Sequence, residues 1–153
     1  CKQILSYGCH FNIYNNKILL LCSGYFLEHG LIDKKLFFEF MKQWSLTNNF
    51  KKILLKKKNF SEKKKYIEKT LFEVPSYIPA NLLIYNFKVI IGINSALLFE
   101  AANKSCKVIS LLHILSQDDK YINYYKNYLN VNLQKNKKIL YPKTYEQFIK
   151  YYK

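Results

Sequence analysis

The stretch "KVIIGINSALLFEAANKSCKVIS", residues 88–110, contains the pattern that decides the fold. A β-branched apolar run ends at Gly92, two small polar residues follow, and an apolar pattern with helical spacing begins after Ser95. A second β-branched run, "CKVISLL" at residues 106–112, begins at Cys106 and continues just past the end of the stretch. This order predicts a strand, a helix that Asn94 or Ser95 caps, and a second strand.

The same alternation continues on both sides of this stretch. Further strands are predicted at 17–24, 51–58, 71–75 and 138–142, and helices at 33–44, 61–70, 78–86, from 116 onwards, and at 144–152. Alternating strands and helices predict an α/β fold, a parallel sheet with helices on both faces. We expect one such domain over residues 17–153. Because the sequence begins with Cys1 rather than Met, we expect residues 1–16 to be a linker or the remnant of an N-terminal domain.

The charge of the chain is strongly basic. Lysine supplies all 25 basic residues against 10 acidic ones, which gives a formal net charge of +15. Such an excess favours phosphates, nucleic acid or an anionic membrane surface as partners. The absence of arginine argues against reading of bases in a nucleic-acid groove, so we expect no specific nucleic-acid partner. An AT-rich genome and a merely solvated lysine-rich surface are alternative explanations of the excess.

The cysteines and the apolar segments indicate a cytoplasmic protein. No CxxC spacing occurs, and two of the four cysteines lie in or beside apolar runs, which is typical of reduced thiols. Cys9 and His10 lack a second ligand pair, so no metal is expected. Lys88 and two asparagines interrupt the longest apolar stretch, 81–102, which argues against a membrane span. Peripheral association with the inner face of the cytoplasmic membrane remains compatible with the lysines.

The junction between the predicted strand and the predicted helix, Gly92–Ser95, is a candidate ligand site, and we call it the seam. Ligands of open parallel sheets bind beyond the carboxyl ends of the strands, where this seam is predicted to lie. Gly92 would let the backbone approach a ligand closely, and the Ser95 hydroxyl with free amides of the next helical turn can hold a phosphate. The alternative is structural, because serine and asparagine are ordinary helix caps and glycine often ends strands.

Two segments resemble one known family. The segment "EVPSYIPANLLIYNFKVIIGINSALLFEAANKSCKVISLL", residues 73–112, resembles the nucleotide-binding half of bacterial sialyltransferases with the GT-B architecture, above all the polysialyltransferase and lipooligosaccharide sialyltransferase group. The segment "KILLLCSGYFLEHGLIDKKLFFEF", residues 17–40, resembles the first strand, loop and helix of the same domain. The resemblance covers most of residues 17–115 and implies a Rossmann-like C-terminal domain of a GT-B glycosyltransferase.

The resemblance also implies a reaction. Sialic acid would pass from CMP-sialic acid to a hydroxyl of a bacterial glycan acceptor, in capsule or lipooligosaccharide, with inversion and without a metal or other cofactor. Ser95 matches a family serine that would bond the CMP phosphate, whose developing charge must be stabilised as CMP leaves. The nucleotide-binding residues that the resemblance implies are Gly92, Asn94, Ser95, Ala96, Pro79, Asn81 and Lys57.

The sequence departs from the family pattern at three positions. Ala96 stands where a second hydroxyl is expected, and Asn81 where a glutamate would bind the ribose. No His-Pro pair follows the second strand; Lys57 and Lys58 occupy roughly that place, and Lys58 is a candidate catalytic residue that supplies positive charge to a phosphate. In "LEHG", residues 27–30, Glu28 is a candidate base.

These departures leave the function open between three hypotheses. The first is an active sialyltransferase domain, and the second is a degenerate or truncated copy without turnover. The third, motivated by charge alone, is a basic nucleic-acid-binding α/β domain. His113 lies just past a predicted strand, where it faces either the edge of the sheet or the core.

Overall fold

The computed structural model describes residues 18–23, 32–47, 53–58, 71–74, 77–93, 95–104, 106–116 and 138–153. Its strands are β1 (Ile18–Ser23), β2 (Ile53–Lys58), β3 (Leu71–Glu73), β4 (Val89–Gly92), β5 (Lys107–Ser110) and β6 (Ile139–Leu140). Its helices are α1 (Lys34–Thr47), α2 (Ala80–Leu83), α3 (Ala96–Ala102), α4 (Leu112–Leu115) and α5 (Tyr145–Tyr152), and a 3-10 turn (Ile84–Asn86) follows α2.

The six strands form one parallel sheet in the order β3-β2-β1-β4-β5-β6. The predicted α/β class with a parallel sheet is therefore confirmed. This strand order is that of doubly wound nucleotide-binding sheets, and it is consistent with a Rossmann-like architecture. Because all strands run in one direction, their carboxyl ends meet at one edge, the carboxyl edge, and their starts meet at the opposite one, the amino edge.

Helices cover both faces of the sheet, as the alternation predicts. Successive side chains of a strand point to opposite faces, so that Leu20 and Leu19 of β1 belong to different cores. The face under α1, α4 and α5, here called the aromatic face, buries Ile18, Leu20, Phe37, Phe40, Met41, Trp44, Ile91, Ile109, Leu112 and Phe148. The face under α2 and α3, here called the aliphatic face, buries Leu19, Leu21, Leu83, Ile84, Ile90, Leu98, Ala101, Ala102 and Val108.

The caps of the two longest helices follow the sequence. The Asp33 carboxylate accepts hydrogen bonds from the Lys35 and Leu36 amides at 2.7 and 3.3 Å, as expected of the N-cap of α1. Thr144 caps α5 by accepting from the Gln147 amide at 3.3 Å. The Gln147 side chain in turn accepts from the Lys143 amide at 2.9 Å. Side-chain acceptors thus satisfy amides that would otherwise have no partner at these helix starts.

Some boundaries differ from the sequence-based ones. The helix predicted at 78–86 is a single α-helical turn, α2, continued by the 3-10 turn. The strand predicted to reach residue 112 ends at Ser110, because the Ser110 hydroxyl accepts from the Leu112 amide at 3.3 Å and α4 begins there. The predicted helices at 61–70 and beyond 116, and the linker at 1–16, lie outside the described residues. Within the described part of the chain, no helix has the length and apolarity of a membrane span.

Candidate functional site

The order of the strands fixes where a ligand crevice opens. From β1 the sheet extends through β2 to β3 on one side, and from β4 through β5 to β6 on the other. β1 and β4 are neighbours, with Leu21 paired to Gly92. In doubly wound sheets the connections after these two strands diverge, and ligands bind in the crevice beyond their carboxyl ends. The segment that follows Gly92 therefore lies at the position where this fold binds ligands.

Ser95 is the N-cap of α3, which confirms that a residue of the seam caps the helix. Its backbone is extended, with φ −158° and ψ 142°, and its hydroxyl oxygen accepts from the Leu97 amide at 3.2 Å. Its carbonyl oxygen accepts from the Leu98 amide at 3.0 Å. Because two amides of the first turn already donate to Ser95, an anion bound here would depend on the Ser95 hydroxyl proton more than on a turn of free amides.

Gly92 has a packing role that the sequence did not suggest. A Cβ at this position would lie 3.0 Å from Cδ2 of Leu98 and 3.4 Å from the carbonyl oxygen of Leu21. The space beside the glycine is therefore filled by the side chain of Leu98, which is 2% exposed. The expectation was close approach to a ligand, whereas the geometry explains the glycine by close approach of α3 to β4.

Ser110 ties the seam to the neighbouring strand. It pairs with Gly92 in the sheet and is 1% exposed. Its hydroxyl donates to the Ile93 carbonyl oxygen at 2.6 Å and accepts from the Leu112 amide, while the Leu111 amide donates to the Gly92 carbonyl oxygen at 2.7 Å. These bonds hold the chain after β4 against the chain after β5. The sequence analysis missed this residue, and its signal is a serine at the end of the apolar run "KVIS".

His113 and Tyr141 form a ring pair beside the same edge. His113 belongs to α4, which follows β5, and Tyr141 follows β6 directly. The two rings are perpendicular, with centroids 5.7 Å apart, and both residues are partly exposed. Burial raises the pKa of Tyr141 to about 12, so its phenol is protonated at neutral pH. His113 thus lies after β5 at the carboxyl edge, with a tyrosine against its ring.

The other described candidate residues belong to α3, α2 and β2. Ala96 is the exposed first residue of α3. Pro79 is the exposed N-cap of α2, with φ −63°, and Asn81 is an exposed residue of that helix. Lys57 and Lys58 end β2, where they pair with residues 22 and 23 of β1. Glu28 and Asn94 lie outside the described residues.

The sequence predicts reduced cysteines and no metal site, and the structure describes one cysteine, Cys106, in detail. Cys106 carries a free thiol that donates to the Ala101 carbonyl oxygen at 2.8 Å. Burial raises the pKa of this thiol, which therefore is protonated and packs as part of the aliphatic face. Across the described ranges, no three His, Cys, Asp or Glu side chains form a group that could hold a metal ion.

Sequence comparison adds no assignment to this geometry. The chain matches no protein-family model, and no curated protein matches it significantly. The chemical capacity of the site therefore follows from three structural features. They are a doubly wound strand order, a serine hydroxyl at the divergence of β1 and β4, and three lysines at the end of β2.

Proposed function

We propose that this chain is the nucleotide-sugar-binding, Rossmann-like domain of a bacterial GT-B sialyltransferase. It would bind CMP-sialic acid and transfer sialic acid to a hydroxyl of a surface glycan, in capsule or lipooligosaccharide. The observation that carries the proposal is the strand order β3-β2-β1-β4-β5-β6, because doubly wound sheets of this order bind ligands beyond β1 and β4, and Ser95 caps the helix that follows β4. The resemblance of residues 73–112 to that family supplies the substrate class.

The residues at this edge suit a phosphodiester anion. The Ser95 hydroxyl can donate its proton to a phosphate oxygen while its own oxygen still accepts from the Leu97 amide. β2 lies two strands from β4, roughly 10 Å, and ends in three lysines, Lys56, Lys57 and Lys58. Lysine ammonium groups near the phosphate would favour its binding and the extra charge that it gains when CMP leaves.

The proposed transfer breaks one bond and forms one. The glycan hydroxyl attacks the anomeric carbon of sialic acid, the bond from that carbon to the phosphate oxygen breaks, and CMP leaves with the bonding electron pair. The hydroxyl proton passes to a base, for which Glu28 is the candidate in this chain. Lys58 is the candidate for charge stabilisation, in the place of the missing His-Pro pair.

A second proposal is a degenerate copy that binds CMP without turnover. Ala96 is exposed at the start of α3 without a hydroxyl, and Asn81 offers a neutral amide where the family has a carboxylate. Both changes remove polar contacts to the donor while leaving the strand order unchanged. This alternative predicts nucleotide binding with no release of CMP from CMP-sialic acid.

Calorimetric titration of four ligands tests the proposed function. We expect CMP to bind more tightly than cytidine, because the phosphate is the group that Ser95 recognises, and more tightly than UMP or AMP. CMP-sialic acid turnover with a sialylated acceptor would then separate the active enzyme from the degenerate copy. Equal affinities for CMP and cytidine, or no binding of either, would contradict the proposal.

A further inference from the structure

The amino edge of the sheet, opposite the proposed ligand crevice, is lined by lysines. Lys107 is the first residue of β5, Lys88 comes directly before β4, and Lys138 comes directly before β6. In the sequence, a lysine also comes directly before the first residue of β1 and of β2. Since parallel strands begin at one edge, Lys88, Lys107 and Lys138 lie in a row along it.

Two contacts bring residues at this edge together in pairs. The Lys107 amide donates to the Lys88 carbonyl oxygen at 2.8 Å, so the two residues are adjacent, and both are exposed. The Lys104 ammonium lies 4.8 Å from the ring centroid of Tyr85, which is 63% exposed. We call Tyr85, Lys88, Lys104 and Lys107 the basic edge patch. It combines three cations with an aromatic ring that remains open to solvent.

The neighbourhood of the basic edge patch is poor in acidic residues and carries exposed apolar groups. Residues 77–116 contain one acidic side chain, Glu100, which lies on α3 four residues before Lys104. Leu82 and Phe99, on the helices next to the patch, are each 36% exposed. Lysine stems, a tyrosine and adjoining apolar side chains match the mixed polarity of the headgroup region of a bilayer.

We propose that the basic edge patch docks this domain onto an anionic lipid bilayer. Lysine suits this occupant, since a flexible point charge attracts a diffuse anionic surface, while the arginine fork that reads bases and single phosphates is absent from the chain. The patch lies at the amino edge, so the carboxyl edge points away from the bilayer. The docking follows from the position of the lysines and holds whether or not the domain binds CMP.

Vesicle sedimentation with charge-matched variants tests the docking. The patch variant is Lys88→Gln, Lys104→Gln and Lys107→Gln, and the control variant replaces three exposed lysines elsewhere, Lys42→Gln, Lys143→Gln and Lys150→Gln. Each basic residue near an anionic surface is worth about a fivefold gain in partitioning. On vesicles of three parts phosphatidylcholine to one part phosphatidylglycerol, we expect roughly a 100-fold loss for the patch variant and less than a fivefold loss for the control.

A fluorescence measurement locates the contact without removing charge. Tyr85→Trp and Leu46→Trp replace side chains of equal exposure, 63% and 64%, on opposite faces of the sheet. Both variants keep the buried Trp44, so the parent protein gives the background signal. We expect anionic vesicles that contain brominated lipid to quench the added indole of Y85W and to leave the emission of L46W as unquenched as that of the parent. Equal losses for the two lysine variants, equal quenching of the two indoles, or no binding to anionic vesicles would each overturn the proposal. Preferential binding to a DNA duplex at the same salt concentration would also overturn it.

Discussion

The two faces of the sheet are packed in different ways and have different consequences. On the aromatic face, Phe148 of α5 meets Phe40 and Trp44 of α1 edge-on, with ring centroids 4.9 and 5.4 Å apart. On the aliphatic face, α3 comes close to β4 because Gly92 leaves room for Leu98. The aromatic rings therefore supply buried area between α1 and α5, although Ile93 of the seam also packs on that face, whereas the aliphatic face holds Leu98 of the helix that Ser95 caps. Stability and ligand binding should thus respond separately to substitutions on the two faces.

The largest effect is expected on the aromatic face. Trp44 is fully buried and meets Phe148 and Tyr152 at 5.4 and 5.6 Å between ring centroids. Trp44→Ala leaves a large cavity and should lower the free energy of unfolding by about 3–5 kcal/mol in urea denaturation. CMP affinity of the folded fraction should change less than twofold. Leu46→Ala, at an exposed position of the same helix, is the control with no expected effect.

The indole nitrogen of Trp44 sharpens this prediction. Among the described residues, Nε1 of Trp44 is buried without a hydrogen-bond partner. Trp44→Phe therefore loses no hydrogen bond and should cost markedly less than Trp44→Ala, because most of the ring packing survives. Equal destabilisation by the two substitutions would show that the polar edge of the indole matters and would contradict this account of the aromatic face.

Substitution of Gly92 should lower both the free energy of unfolding and the affinity for CMP. Gly92→Ala places a Cβ 3.0 Å from Leu98 and should lower the free energy of unfolding by about 1–3 kcal/mol, with a larger loss for Gly92→Val. Because the displaced Leu98 side chain belongs to α3, which Ser95 caps, CMP affinity should fall as well. Calorimetry and urea denaturation measure the two quantities on the same protein. Unchanged CMP affinity in a destabilised Gly92 variant would break the proposed link between the aliphatic face and the site.

A buried hydrogen bond gives the third effect. Ser110→Ala leaves the Ile93 carbonyl oxygen and the Leu112 amide without their serine partner, at an expected cost of about 1–3 kcal/mol in urea denaturation. The matched control is Ser45→Ala on α1, whose hydroxyl donates to the Lys42 carbonyl oxygen at 2.8 Å beside solvent. The control should change stability by less than about 0.5 kcal/mol. Similar losses at the two serines would contradict the structural role given to Ser110.

Two helix caps allow a direct comparison between a residue of the proposed CMP site and a residue with a structural role only. Ser95 caps α3 and Thr144 caps α5, and each side chain accepts from one amide of its helix. Ser95→Ala and Thr144→Ala should each cost about 1 kcal/mol of stability. Only Ser95→Ala should weaken CMP binding, by roughly tenfold or more, since it alone removes a donor to the phosphate. Equal CMP affinities in the two variants would remove Ser95 from the proposed site.

The smallest expected effect concerns tyrosine ionisation. Burial raises the pKa of Tyr141 to about 12, above its ordinary value, so the folded state disfavours the phenolate. This contribution to stability is complete below pH 10 and is lost as the pH rises through 12. Because Tyr141 is partly exposed, we expect a loss of about 1 kcal/mol at most. Tyr141→Phe should show a shallower fall in stability from pH 10 to 12, and an identical pH dependence would contradict the assignment.

The sequence predicted the sheet better than it predicted the site. Apolar runs predicted the strands, and apolar spacing with the capping residues Asp33 and Thr144 predicted α1 and α5. These signals are local in the sequence. They gave the end of β5 wrongly, since the turn at Ser110 depends on a hydrogen bond to Ile93, seventeen residues away. The role of Gly92 was missed for the same reason: its neighbour Leu98 comes from the packed helix. The strand order, which locates the crevice, depends on long-range pairing that no single stretch contains.

Amide chemical shifts during a CMP titration test the central claim most directly. The account predicts concentration-dependent shifts at Gly92, Ile93, Ser95 and Ala96, smaller shifts at Ser110, and none at Lys88 or Lys107 of the amino edge. Shifts confined to the amino edge or to α1 and α5, or no shifts at residues 92–96 at millimolar CMP, would contradict a nucleotide site at the divergence of β1 and β4.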